Sequence, residues 1–407
     1  MYLTFAWRYF KAKKSANAIN IIAWVTVGVI AFATACQVLV LSVFNGFEGL
    51  VKSLYSSFYT DIKIIPQKGK TFLLNASRLQ AIRQQVGVKA ISLIAEEKAL
   101  LQNEAVQTIV YLKGVDEDYP KVSGVADKTV EGVFVTGDVA HPGLILGAGI
   151  QNAAAVSIDG LMGPSVVTLI LPKKGKVSVA DPMQSLSEGN VTATGVFSIQ
   201  QDFDNKYAIT NIGFVKQQMG FDQDEYSAIE IKVAEKPSLA EIQENLAALL
   251  GNNFKVLSKY EQNTSLYNTM RLEKWAIYAV LTLILFIAAF NMISALTMLV
   301  LEKQKDISVL QSMGADRGMI LKIFLGEGLL LAGIGALTGV AMALLVCLVQ
   351  VKFHLFKLQG GSFLIDYFPV TLQASDFLLV ISTVALIAFL ASWFPAKKAA
   401  NQLIALR

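Results

Sequence analysis

Residues 302–322 read EKQKDISVLQSMGADRGMILK, a charged, helix-forming link wedged between two long apolar runs. A segment so short cannot make a domain, so its work is contact. The flanking runs, 275–301 and 323–351, and two others at 19–44 and 377–394, each meet the rule that about 18 or more apolar residues with few charges read as a membrane-crossing helix. Composition agrees: hydrophobic residues make up 54% of the chain and charged residues 16%. Mean hydropathy is +0.51, on the membrane side of globular usage. The net charge of +4 is modest, and nucleic acid is not expected as a partner.

Arg8, Lys11, Lys13 and Lys14 precede the first run, as they would a signal peptide. That run is about twice a usual h-region, however, and no small-residue cleavage site closes it, so it reads as an anchor. Lys and Arg then set orientation. The N-terminal tail is basic, the link carries Lys303, Lys305, Arg317 and Lys322, and the C-terminal tail carries Lys397, Lys398 and Arg407; all three belong on the cytoplasmic side. The expected fold class is an α-helical membrane protein with four transmembrane helices and a large α+β domain on the far side, between helices one and two. The helices fall at 19–44, 273–301, 323–351 and 377–395, and the inserted domain at 45–272. Cytoplasmic tails at 1–18 and 396–407, the cytoplasmic link at 302–322 and a short outer loop at 352–376 complete the chain.

Within the inserted segment, β-branched stretches at 61–65, 108–112, 166–171, 190–197 and 228–233 predict strands. Amphipathic patterns at 77–86, 213–219 and 238–250 predict helices; Pro237-Ser238, with Glu241 three residues on, gives the last a capping-box start. Cys36 and Cys347 both fall in predicted spans, where they serve as small apolar residues rather than a disulfide framework.

No catalytic signature emerges. A phosphate-cradling loop needs GxxxxGK[ST]; Gly69-Lys70-Thr71 supplies only its tail, with Ile64 where the first glycine belongs, so the chain is not expected to bind ATP itself. His141 and His354 are the only histidines and lie far apart, which offers neither a metal site nor a triad. The acidic cluster Asp116-Glu117-Asp118 reads as a solvated turn.

In the link, Ile307, Leu310 and Met313 recur every third residue and predict an apolar stripe on a short helix, with Glu302, Lys303, Lys305 and Asp306 around it. Gly314 ends that helix and Asp316 caps the next turn. An amphipathic segment resting on lipid headgroups fits this pattern, as does a helix docked in a protein groove; the mixed-sign charge favours the groove. In the spans, Gly335 and Gly339 form a small-xxx-small pair for close helix packing. Asn291 is a polar residue deep in an apolar run, suited either to an interhelical hydrogen bond or to a cavity wall. Glu327, between Gly326 and Gly328, reads as a structural partner to the link lysines.

With these features in place, the order span, large domain, span, EKxxDIxVLxxxGA link, Gly-rich span, span, basic tail resembles the FtsX/MacB-type permease superfamily of ABC transporters. Glu302-Lys303, Asp306-Ile307, Val309-Leu310 and Gly314-Ala315 match that link. The stretches NAINII (17–22), LSVFNGFE (41–48), FNMIS (290–294) and FPAKKAA (394–400), with Arg8-Tyr9 and Lys13-Lys14-Ser15, narrow the resemblance to lipoprotein-releasing permeases of the LolC/LolE type.

The resemblance implies a multi-pass protein of the bacterial inner membrane, with both termini cytoplasmic and the large domain periplasmic. It implies a permease subunit that draws lipoproteins from the outer leaflet and passes them to a LolA-type periplasmic carrier. Power would come from separate LolD-type ATPase subunits that hold ATP and magnesium, while the chain itself binds no cofactor and no metal. A second permease, sister or identical, completes the membrane part. Under this reading Glu302, Lys303, Asp306, Leu310, Met313 and Gly314 couple to the ATPase, and Phe44, Phe47 and Asn291 line an acyl-chain cavity. The loop at 172–189 hooks the carrier, with Pro182 and Met183 as anchor. A division-type FtsX permease is the alternative, although its outer domain is usually far smaller. A MacB-type export pump would carry a fused nucleotide-binding domain.

Overall fold

The computed structural model describes residues 17–160, 163–175, 185–358 and 367–401. The chain divides into two compact units, Met1–Leu50 with Asn268–Arg407, and Val51–Tyr267. In chain order the main elements begin with helix α1 (Asn17–Phe58), strands β1 (Ile62–Pro66) and β2 (Phe72–Leu73), and helix α2 (Ala76–Arg83). Seven strands follow: β3 (Val88–Asn103), β4 (Val106–Val115), β5 (Thr129–Gly132), β6 (Gly143–Gly147), β7 (Val166–Pro172), β8 (Leu186–Phe197) and β9 (Tyr207–Asn211). Helix α3 (Ile212–Met219), strands β10 (Glu225–Tyr226) and β11 (Ala228–Val233), helix α4 (Leu239–Leu250) and strand β12 (Phe254–Ser258) complete the β-rich part. The chain closes with α5 (Thr264–Glu302), α6 (Gln304–Ser312), α7 (Arg317–Phe353) and α8 (Ala374–Ala400).

Four helices among the described residues, α1, α5, α7 and α8, are long and apolar enough to cross a membrane. Their shared core joins Val27, Val38 and Leu41 of α1 to Met292 and Leu296 of α5, Leu331 and Ala343 of α7, and Val380 and Val384 of α8. The helices outrun the apolar stretches that announce them. α1 continues past Phe44 to Phe58 because Val51, Leu54, Tyr55 and Phe58 sustain a helical apolar stripe, and these residues enter a core of the β-rich unit with Phe197, Phe203 and Ile209. α8 runs to Ala400 through Pro395; one missing backbone donor near a helix end does not break it.

In the β-rich unit a ten-stranded sheet has the order β12-β1-β11-β3-β4-β9-β6-β8-β5, with β7 pairing β3 and β8. The β4–β9 and β6–β8 pairs are parallel and the remaining pairs of this sheet are antiparallel. Each predicted strand stretch overlaps an observed strand. The longest strand, β3, was not signalled, because Glu96-Glu97-Lys98 interrupts its apolar alternation. Tertiary pairing supplies the reason it forms: Glu96 lies opposite Lys113 of β4, and oppositely charged cross-strand pairs favour the sheet. α4 starts at the expected N-cap, with the Ser238 hydroxyl accepting the Glu241 backbone N–H at 3.3 Å, but the full capping box forms instead at Ser258 and Glu261. The acidic cluster is a correction. Asp116 is no solvated turn residue; its carboxylate accepts the Ser92 hydroxyl at 2.6 Å and the Leu93 N–H at 2.9 Å, and burial pushes its pKa above the usual aspartate value.

Candidate functional site

The link folds as α6, and its ends follow from backbone chemistry. Gly314 takes φ +93°, open to glycine at no steric cost. Its N–H reaches the Gln311 carbonyl at 3.0 Å while the Ala315 N–H reaches that of Leu310 at 2.9 Å, the paired bonds of a Schellman stop. Asp316 then caps α7 by accepting the Met319 N–H at 3.0 Å. Lys303, at the N-cap of α6, pairs with Asp306 at 2.8 Å.

The apolar stripe is not one face. Ile307 turns inward against Leu299, Val300, Ile320, Phe324, Ala396 and Ala399, Leu310 is half-buried, and Met313 is 80% exposed. Residues three apart drift by about 60° per step, since each adds ~100° around the axis. The outward pair is Val309, 58% exposed, and Met313, four positions on. Sequence reading passed over Val309 because it sits off the three-residue count; an i, i+4 search from Met313 finds it. The solvated face therefore carries a small apolar pair among mixed charges, a surface built for contact rather than chemistry.

The spans hold two kinds of feature. Gly335 and Gly339 lie against α1: a Cβ at 339 would stand 2.3 Å from the Ala31 carbonyl oxygen, and one at 335 would stand 2.9 Å from Ile30. A polar triad, with Asn45 and Asp376 buried and Lys274 half-buried, went unnoticed in the sequence. Asn45 of α1 donates to Asp376 of α8 at 2.6 Å, while the Lys274 ammonium of α5 reaches Asn45 Oδ1 at 2.9 Å and Asp376 at 3.2 Å. Its members come from three helices with no local pattern, so only the fold assembles it. Glu327 is buried, next to Gly328, whose Cα faces Ser392.

The three proposed cavity residues do not meet within this chain. Gln37 of α1 is level with Thr282 of α5, at 3.2 Å; Phe44 lies beyond that level and Asn291 on its other side, on the order of 20 Å apart along antiparallel axes. Phe47 stacks edge-on with Phe368, centroids 5.9 Å apart. Asn291 is exposed, so it does not glue helices inside the unit. Its neighbour Phe290 lines an open apolar groove of about 160 Å³ with Phe286, Ala289, Ile293, Ile387 and Leu390.

In the β-rich unit, four charged residues from adjacent strands form a cluster. Lys113 pairs with Glu230 at 2.7 Å, and Lys63 with Glu96 at 3.2 Å and Glu230 at 3.7 Å. The Lys113 ammonium also sits over the rings of Phe58 and Tyr119. Burial alone would drive Lys113 neutral, but the Glu230 carboxylate, with Tyr119 and Glu96, overrides it and holds its pKa above the usual lysine value. Burial likewise opposes ionisation of Glu96, yet Lys63 and Lys113 hold its carboxyl below the usual glutamate value. Pro182 and Met183 lie outside the described residues. No cluster of metal-ligating side chains occurs among the described residues.

Residues 23–249 match the MacB-like periplasmic core domain, and residues 278–404 the FtsX-like permease C-terminal family. The lipoprotein-releasing system transmembrane protein LolC of Neisseria meningitidis is 25% identical over 412 residues, covering 97% of this chain and 95% of that protein. LolE of Haemophilus influenzae, which carries the same system name, is 25% identical over 413 residues, covering 97% and 96%. Among solved structures, the periplasmic region of MacB from Actinobacillus actinomycetemcomitans aligns with a TM-score of 0.37 at 13% identity, over 54% of this chain and 98% of that one.

Proposed function

The chain belongs to the permeases that combine a MacB-like periplasmic core with an FtsX-like C-terminal segment, and from that premise we propose that it is the permease subunit of an ABC-type lipoprotein-releasing complex in the bacterial inner membrane. Likeness that runs unbroken through spans, inserted domain and link to lipoprotein-releasing proteins carries the reading. The α6 link and both termini face the cytoplasm, and the β-rich unit faces the periplasm. Basic residues at Lys303, Lys305, Arg317 and Lys322 support that orientation.

Separate ATPase subunits of the LolD type, which hold ATP and magnesium, engage α6 through Val309 and Met313, with Glu302, Lys303, Asp306, Leu310 and Gly314 setting its charge and shape. Closure of the ATPases pushes α6, which is pinned by Ile307 to the ends of α5, α7 and α8, so force on the link passes to these helices. A second permease covers the outward face of α5. Asn291 supports that placement, because a lone amide facing hydrocarbon is costly and a partner helix relieves it. Phe44 and Phe47 line the acyl-chain space that the two permeases enclose, and the 172–189 loop with Pro182 and Met183 receives a LolA-type carrier. Each CH₂ brought into water costs roughly 0.8 kcal/mol, so one acyl chain of about 16 carbons takes on the order of 10 kcal/mol to extract. Both a motor and an apolar receiver are therefore required.

The decisive experiment reconstitutes the chain with its ATPase in proteoliposomes loaded with a tri-acylated lipoprotein, and follows transfer to added carrier. ATP-dependent transfer that Met313→Asp abolishes is the expected result. Transfer no greater than an ATP-free control sinks the proposal.

A further inference from the structure

A second apolar recess lies away from the α5 face. Leu39 and Val43 of α1, Val346 and Cys347 of α7, and Phe356 and Phe368 of the connector to α8 wall a space of about 370 Å³. Its depth in the fold is set by Gln350, which is buried and turns its amide wholly to backbone. It donates to the carbonyls of Phe356 and Phe368 at 3.0 and 3.1 Å and accepts the Phe356 N–H at 2.9 Å. Gln350 thus presents only methylenes to the recess, and the wall is apolar throughout.

The recess is open on one side, and its wall offers water no polar partner. Left bare, those wall atoms have no dispersion contacts on the open side. Hydrocarbon is the filler that the surroundings offer: the recess sits where the apolar runs of α1 and α7 end, so a lipid chain reaches it with its headgroup at the interface.

The chemistry of that headgroup is set by what stands beside the wall. Lys352 closes α7, and Lys357 adjoins Phe356 in a backbone bridge to Tyr367, the neighbour of Phe368. Both lysines are exposed, and neither forms an ion pair among the described residues. Two exposed cations at an interface attract a phosphate. The diacylglyceryl group of a lipoprotein has no phosphate, and so makes no use of them.

We propose that this recess holds one acyl chain of an anionic bilayer phospholipid, retained as a resident lipid between α1, α7 and the connector, and that Lys352 and Lys357 select its phosphate. The proposal rests on the chain spanning a bilayer and not on its cargo.

The test places the full-length chain in nanodiscs of equal phosphatidylglycerol and phosphatidylcholine, extracts it under mild detergent and counts retained lipid by native mass spectrometry. Retained phosphatidylglycerol should exceed phosphatidylcholine several-fold. Lys352→Glu with Lys357→Glu should lower that ratio by about thirtyfold, as two interfacial charges of ~1 kcal/mol each imply. Val43→Phe, which fills the recess, should remove retained lipid of both kinds. A wild-type ratio equal to the bulk, or a double variant that keeps the wild-type ratio, overturns the proposal, as does displacement of the retained lipid by an equimolar diacylated lipopeptide. Should Val43→Phe fail to fold, Cys36→Ser leaves Cys347 as the sole thiol. Its maleimide labelling must then be several-fold slower in phosphatidylglycerol than in phosphatidylcholine discs, and equal rates overturn the proposal.

Discussion

Replacing Lys113 by Met removes the cation from the most buried ion pair of the β-rich unit and leaves the Glu230 side chain, 3% exposed, without its 2.7 Å partner. Breaking a buried pair from one side costs about 3–5 kcal/mol, because the surviving charge is uncompensated. Lys63 remains 3.7 Å from Glu230, which places the expected loss near the lower end, about 3 kcal/mol. In a unit of this size, each kcal/mol lowers the melting temperature by about 2–4 °C, so a fall of about 6–12 °C is expected. The double variant Lys113→Met, Glu230→Leu should recover most of it, since apolar residues of similar volume commonly match or exceed a buried pair. Tryptophan emission cannot follow this transition, because Trp7, Trp24, Trp275 and Trp393 all lie outside Val51–Tyr267. Amide hydrogen exchange on β4 and β11 of the full-length chain reports it directly. A single variant that melts within about 2 °C of wild type, or a double variant as weak as the single, refutes the reasoning.

The same cluster sets a pH window. Glu96 has its folded pKa held below the ordinary 4.5, and Lys63 and Lys113 have theirs held above 10.5. The Glu96 contribution is therefore complete above about pH 4.5 and lost as pH falls through its lowered value; the lysine contributions are complete below about pH 10.5 and lost as pH rises through theirs. Exchange protection in β3 and β4 should be flat between these limits and decline outside them, and a decline centred on neutral pH would exclude the cluster as its source. Gly339→Leu drives a side chain into the Ala31 carbonyl and should destabilise the four-helix unit by about 1–3 kcal/mol or more. Gly333→Ala, with nothing within 4 Å of its Cβ, serves as the control in a detergent melt. Val309→Asp should weaken binding of the ATPase by tenfold or more in a titration against the reconstituted permease, since an anchor of this size contributes about 1.5 kcal/mol or more on burial; an unchanged Kd would remove Val309 from the docking face.

The spans and link were legible because membrane helices and helix caps are written locally. An apolar run, a glycine at the stop and an aspartate at the next start suffice for α6 and its neighbours. The ends of α1 and α5 were not, since a helix continues while any stripe finds a core to enter, and Val51 to Phe58 find theirs in residues far along the chain. β3 was hidden for the same reason: Glu96 is acceptable in a strand only once Lys63 and Lys113 stand beside it. Among the site residues, Gly335 and Gly339 could be read from spacing alone. Whether Asn291 faced inward or outward could not, because a helix with apolar residues all round gives no sign of its buried side. The Asn45–Lys274–Asp376 triad was likewise invisible, each member an unremarked polar residue until three helices converge.

Strand β1 lies directly beside β12, with Ile62 opposite Ser258. The polypeptide thus leaves α1 and enters α5 through neighbouring strands roughly 5 Å apart, however elaborate the path between. Such a module is portable: its two ends form a fixed doorway, so a differently sized insert that preserves this strand pair can be grafted in without restringing the helices. Diversification of the inserted part can then proceed at little risk to the anchoring scaffold.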